Sequence, residues 1–221
     1  MRLQELLVTV FALAVLATGV PRAHAAGSGG FDADLAALRE EWAAAAYTPD
    51  KHARNAAFDT VMAHAAALSA ANPQRVEAVA WQGIILSDYA GKVSPFAAMK
   101  YAKAARDILH RAENMDPAAL AGGIYATLGA LYSKVPGGII GFGDDALAAE
   151  YFQKALAVDP DNIDNNYFYG DYLLSKGEAA KAVTVLTHAL EAPPVEGRPI
   201  FDAGRRGEIR ALLAAARRKA G

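Results

Sequence analysis

The 221-residue sequence has no cysteine. That removes a disulfide framework, thiol catalysis, and any zinc or iron–sulfur site built on thiolates. It has little net charge, −2 in formal terms, so a protein that coats nucleic acid is excluded as a class. It has few large apolar residues for its apolar fraction of 53%, because 52 of its residues are alanine. After residue 20 it has no apolar run long enough to cross a bilayer. It also lacks a His-Glu-x-x-His pair, a Gly-x-Ser-x-Gly elbow and a phosphate-binding glycine loop. Alanine has the highest intrinsic helix propensity and a side chain that lets helices approach closely. The expectation is an all-helical protein without a catalytic centre.

Residues 1–25 read as a cleavable signal peptide. Arg2 gives a basic start, Leu6 to Val20 is a mostly apolar stretch, and Ala23-His24-Ala25 has the small-x-small form of a cleavage site. The competing reading is a retained membrane anchor, but the stretch is shorter than the ~20 residues a membrane helix needs. Cleavage would take Arg2, Arg22 and Glu5 with it and move the formal charge from −2 to −3. With no cysteine at the cleavage site, a lipid anchor of the usual kind is not expected. The location implied is periplasmic or secreted. Residues 26–30 read as a flexible lead-in, and 31–221 as one helical domain.

The remainder repeats. Ala105-x3-Leu109 is followed by Ala112 and Pro117, Ala148-x3-Phe152 by Ala155 and Pro160, and Ala182-x3-Leu186 by Ala189 and Pro194. The first alanine and the proline are the same distance apart in all three. Upstream, Tyr125-x2-Leu128-Gly129-x2-Tyr132 and Asn166-x2-Tyr169-Gly170-x2-Leu173 form matching first halves. A weaker one begins at Trp81, with Ile85 at the glycine position and Asp88 at the tyrosine position. A degenerate unit ending at Pro73 would place Val61, Ala65 and Leu68 at the three helix-B positions. Small residues at the Gly and Ala positions let the two helices of a unit cross closely. Large residues fill the space between units, and neither helix pair buries its apolar face alone. Thr48-Pro49, Asn72-Pro73, Ser94-Pro95 and Asp116-Pro117 read as caps followed by proline at the first helical position. Asp144 or Asp145 is the expected cap of a later helix.

Two units depart from this spacing. The second and third carry extra residues between the glycine-equivalent position and the helix-B alanine, which reads as two long connections side by side on one face, where insertions often bind. The two share a pattern: Gly91-Lys92-Val93-Ser94-Pro95 and Ser133-Lys134-Val135-Pro136. The second continues through Gly137-Gly138-Ile139-Ile140-Gly141-Phe142-Gly143. Its bulky residues either tuck under the loop or form an apolar lip facing a partner. The candidate binding residues are Tyr89, Lys134, Ile139, Ile140, Phe142, Tyr167 and Asp171. Tyr167 and Asp171 fall at helix-A positions that line a concave groove, with ordinary packing between repeats as the alternative.

Other groups favour plain readings. His52, His64, His110 and His188 read as solvated or packed. Asp159 to Asp164 resembles a calcium loop but lacks its glycine and terminal glutamate, so it reads as a turn. The basic tail, Arg198 to Lys219, reads as the polar outer face of a capping helix near 202–219, with contact to an anionic surface as the alternative. No cofactor or metal ligand set is expected.

The Ala-x3-Phe and Tyr-x2-Leu-Gly-x2-Tyr spacings resemble the tetratricopeptide repeat family, over roughly residues 31–194. The resemblance implies antiparallel helix pairs stacked as a right-handed solenoid. It implies about four pairs, the best at 119–160 and 161–194, followed by a capping helix. Within that superfamily, export and long connections between paired helices resemble the periplasmic T component of TRAP-type transporters. That narrower resemblance implies a non-enzymatic adaptor that docks another envelope protein, such as a solute-binding protein, or an accessory to solute or lipid transport that binds an apolar small molecule.

Overall fold

Leu38, Trp42, Phe58, Ile85, Leu109, Leu128, Phe152, Leu173, Leu186 and Ile209 are buried on successive helices, and their helical spacing dictates the architecture. The computed structural model describes residues 28–221. The signal-peptide segment lies outside the described residues. Those described form nine α-helices: α1 (Ser28–Ala46), α2 (Lys51–Ala71), α3 (Val76–Ala90), α4 (Pro95–Met115), α5 (Gly123–Lys134), α6 (Asp145–Val158), α7 (Ile163–Ser175), α8 (Ala179–Glu191) and α9 (Pro199–Ala220). A short 3-10 turn, Ala119–Gly122, precedes α5. No helix among them is long and apolar enough to cross a membrane. The helices pack as four consecutive pairs, α1 with α2 through α7 with α8, and α9 lies against α8. The lead-in is shorter than expected, because Ser28 to Gly30 already belong to α1, whose first turns are pinned by buried Phe31 and Leu35.

The repeat spacing holds in three dimensions. Ala105, Ala112, Ala148, Ala155, Ala182 and Ala189 are completely buried, as are Leu109 and Leu186, with Phe152 nearly so. Helix-A glycines receive those large residues. A Cβ on Gly129 would stand 2.9 Å from the Phe152 ring, and one on Gly170 2.5 Å from Leu186. In the second unit that role belongs to Gly83, whose Cβ would meet Leu109 at 2.6 Å. The repeat register there is therefore set by Gly83 and not by Ile85. Ala148→Leu and Ala182→Leu should each overpack a closed crossing and lower stability by about 1–3 kcal/mol in urea unfolding. An unchanged midpoint in both would contradict the pairing.

Three of the four cap-proline expectations are corrected. Asp50 caps α2 by accepting from the Ala53 amide at 2.7 Å, while the Thr48 hydroxyl donates back to Ala44 at 2.7 Å and closes α1. Asn72 ends α2, its backbone and side-chain amides both returning to Leu68 O. Asp116 ends α4 and accepts from the Ala118 amide, opening the turn toward the 3-10 segment. Only Ser94-Pro95 starts a helix as expected. Asp144 caps α6 and Asn162 caps α7, so Asp159–Asn162 is a turn between units and Asp164 already lies in the first turn of α7.

The first long connection is also corrected. Only Gly91 to Ser94 separate α3 from α4. The extra residues are two added helical turns at the start of α4, because Pro95 to Ala104 carries nothing to break a helix once it has begun. The third unit does have a true loop, 135–144. Two core clusters show how the array ends. One joins α3 to α6, and the other joins α1, α2 and α3 to α7, α8 and α9. The last helix thus shares a core with the first pair. Phe201 lies 5.7 Å from Trp42, and the Tyr47 hydroxyl donates to Glu208 at 3.2 Å. The expected capping helix covers α8, keeps an exposed basic face, and in addition closes back on the first pair as a strap.

Candidate binding cleft

The odd-numbered helices α1, α3, α5 and α7 supply the inner wall of the array, joined by the start of α4, the 135–144 loop and α9. They enclose a cleft of about 990 Å³, at the upper end of the range for small-molecule sites. Its apolar surface includes Trp42, Trp81, Ile84, Met99, Leu120 and Leu131. The added turns of α4 contribute Pro95, Ala98, Met99 and Ala102. The helical insertion and the loop insertion therefore adjoin at one edge of the cleft, although only one of them is a loop.

The loop owes its path to glycine. A Cβ on Gly143 would collide with the Val135 carbonyl oxygen, and one on Gly141 with that of Pro136. Gly138 adopts a left-handed φ of 72°. The Gly143 amide donates to Pro136 O and the Asp144 amide to Tyr132 O, each at 3.0 Å. The two readings of the bulky loop residues divide between them. Phe142 is tucked, edge-on to Tyr132 at 5.6 Å and under the Arg106 guanidinium at 4.5 Å. Ile139 and Ile140 are exposed at 107% and 76%. Ile140 lies on the cleft rim.

Four of the seven candidate residues meet at the cleft: Lys134, Ile140, Tyr167 and Asp171. Lys134 Nζ reaches Asp171 Oδ2 at 2.6 Å and links α5 to α7. Tyr167 lies beneath the Arg205 guanidinium at 4.1 Å. Burial pushes its hydroxyl up to about 12 despite that cation. Phe142 supports the loop from below, and Ile139 stands outside the cleft lining. Tyr89 is corrected to a core residue. It is 7% exposed, stacks on Phe58 at 5.1 Å and meets Tyr101 edge-on at 4.9 Å. It faces α2 because helix A of the second unit runs two residues out of the expected register.

Several cleft residues carry no signal in the sequence. Trp42 donates to Asp88 at 2.9 Å and meets Trp81 edge-on at 5.4 Å. Arg39 and Arg198 both lie over Trp81. They belong to the degenerate first unit and to the segment before α9, where the repeat pattern gives no positions. The first part of the basic tail is internal, and the rest keeps the expected polar outer face. Arg205 pairs with Asp164 and Glu208, each at 2.7 Å, and Arg206 caps the carbonyls of Leu190, Ala192 and Pro193. Arg210, Arg217, Arg218 and Lys219 remain exposed. His110 is a packed residue, bridging Glu113 and the Tyr132 hydroxyl at 2.9 Å each.

An array of antiparallel helix pairs with buried alanine crossings defines a helical solenoid. One solved structure shows the type of fold. The chain is similar to the crystal structure of TTC0263, a thermophilic TPR protein in Thermus thermophilus, with 18% identity, 85% of this chain and 92% of that chain covered, and a TM-score of 0.55. Two crystal structures of MamA also match at 18% identity. Their TM-scores are 0.44 and 0.43, with 75% and 85% of this chain and 90% and 92% of those chains covered. No family model and no curated protein matches the sequence. The fold is of the tetratricopeptide type.

Proposed function

We propose that this chain is an exported, non-enzymatic adaptor of the tetratricopeptide type that binds a segment of another envelope protein at its cleft and lip. The observation that carries this reading is the exposed Ile139-Ile140 pair, held by a glycine-built loop at the edge of a concave surface. Exposed apolar side chains on the edge of a cleft suit a partner's apolar residues. The proposed export rests on the features of residues 1–25. A photo-crosslinking residue at position 140, in the full chain expressed with its leader, should give adducts with one envelope protein. Ile139→Asp should reduce them by tenfold or more. Adducts no more abundant than those from exposed position 63 on α2 would overturn the reading.

The closure of the array by α9 favours a second reading, an accessory to transport that binds an apolar small molecule. The cleft has the volume of a ligand site. Native mass spectrometry of protein purified from the envelope should then show a bound species of discrete mass.

A further inference from the structure

The charged side chains of the cleft fall into two groups. Arg205, Lys134 and Lys92 are paired with Asp164 and Glu208, Asp171, and Asp88 respectively, at 2.6 to 2.8 Å. Arg39 and Arg198 line the same cleft, yet among the described residues neither has a carboxylate oxygen within 4.0 Å. The other unpaired charge of the lining, Glu196, is exposed. Nε of Arg39, Nε and Nη2 of Arg198, and Nε1 of Trp81 are all shielded from solvent without a hydrogen-bond acceptor. The two guanidiniums lie 5.3 and 5.2 Å from the centre of the same Trp81 ring, and Arg198 also lies 4.1 Å from that of Phe201.

Burial works against the charge of both arginines, and the positive charge of Arg39 works further against that of Arg198. Glu77 and Asp32 act on Arg39, and Asp164 and Glu40 on Arg198, in the favourable direction but from beyond ion-pair distance. Two cations over one indole, all three side chains with orphaned donors, complement an anion. Guanidinium in particular matches the oxygens of carboxylate or phosphate. The rest of the lining is apolar from Ile84 and Met99 through Leu131 to Ile140 at the rim, which leaves a small inorganic anion without use for most of the cleft.

We propose that the cleft binds a single-chain amphiphile with an anionic head, seated at Arg39 and Arg198 beside Trp81, with its chain lying along the apolar wall toward Ile140. The proposal rests on the small-molecule reading above and names the chemistry of that ligand. The test is isothermal titration of the full chain with palmitate, hexadecyl phosphate, hexadecanol and acetate, the amphiphiles below their aggregation limits. At least one anionic amphiphile should bind tenfold or more tighter than hexadecanol, and acetate should not bind measurably. The preferred head, carboxylate or phosphate, identifies the ligand's source. The Arg39→Gln, Arg198→Gln double variant should bind the anionic amphiphiles no better than hexadecanol. Equal wild-type affinity for palmitate, hexadecyl phosphate and hexadecanol overturns the anion seat and leaves the small-molecule reading standing. Acetate binding as tightly as palmitate reduces the site to one for free anions and overturns the proposal. No binding by any of the amphiphiles overturns both. The wild-type comparison needs no substitution, so it decides even where the double variant does not fold.

Discussion

Phe201→Ala is expected to lower unfolding stability by about 3–5 kcal/mol, the usual loss for a buried Phe truncated in place. Phe201 is 1% exposed and sits where α9 meets α1, 5.7 Å from Trp42 and under the Arg198 guanidinium. The cavity left there cannot collapse easily, because Trp42 is held by Asp88 and Trp81 on its other sides. The effect should go beyond stability. Loss of this contact removes one of the rings that hold Arg198 and loosens the strap that closes the cleft. Urea unfolding should show a lower midpoint, and indole fluorescence should shift toward that of hydrated tryptophan before global unfolding. Ile200→Ala, on the half-exposed neighbour, should change the midpoint little.

Arg205→Ala is expected to cost about 3 kcal/mol, toward the lower end for breaking a buried ion pair. The Arg205 side chain is 8% exposed and is shared between Asp164 on α7 and Glu208 on its own helix. It also covers Tyr167 at 4.1 Å and Phe168 at 5.2 Å. Nε approaches Asp164 as an ion pair without hydrogen-bond alignment, so the bond through Nη1 to Glu208 and the ring contacts carry much of the effect. The two acids are partly exposed and rehydrate when the arginine is lost, which keeps the loss from being larger. Arg205→Lys should recover little, because an ammonium cannot reach two carboxylates and stack on two rings at once. The check is chemical denaturation of both variants beside the parent. A loss under about 1 kcal/mol for Arg205→Ala would show that the pair acts as an exposed one.

The helix pairs were legible because their contacts are local. Ala148, Phe152 and Ala155 share one helix and meet Gly129 on its partner, so the steric demand repeats at a fixed interval. The 135–144 loop was legible for a related reason, since glycines at 137, 138, 141 and 143 leave no other structure available. The α4 extension was not. Its extra residues fill the same interval as a loop would, and only the helix propensity of Pro95 to Ala104, with its alanines, lysines and methionine, separates the two outcomes. The register of the second unit was hidden because Ile85 is buried like the residues around it, while the close approach to Leu109 is made by Gly83. The cleft was half legible. Tyr167 and Asp171 follow from the repeat, and Lys134 and Ile140 from the insertion that departs from it, whereas Arg39, Trp42 and Arg198 depend on α9 returning to α1. That contact joins residues far apart in the chain and outside any repeat.

The central claim is that α9 closes the array against α1. The absence of cysteine among all 221 residues gives a clean background for testing it. A Cβ on Gly204 would run into the Tyr47 ring, so positions 47 and 204 are neighbours across the closure. The Tyr47→Cys, Gly204→Cys variant, treated with a short bismaleimide under native conditions, should form an intramolecular crosslink in most molecules, seen as one added linker mass with no free thiol. The same treatment in urea should abolish it. Native protein that takes up two separate linkers and no bridge would contradict the closure and the cleft built on it.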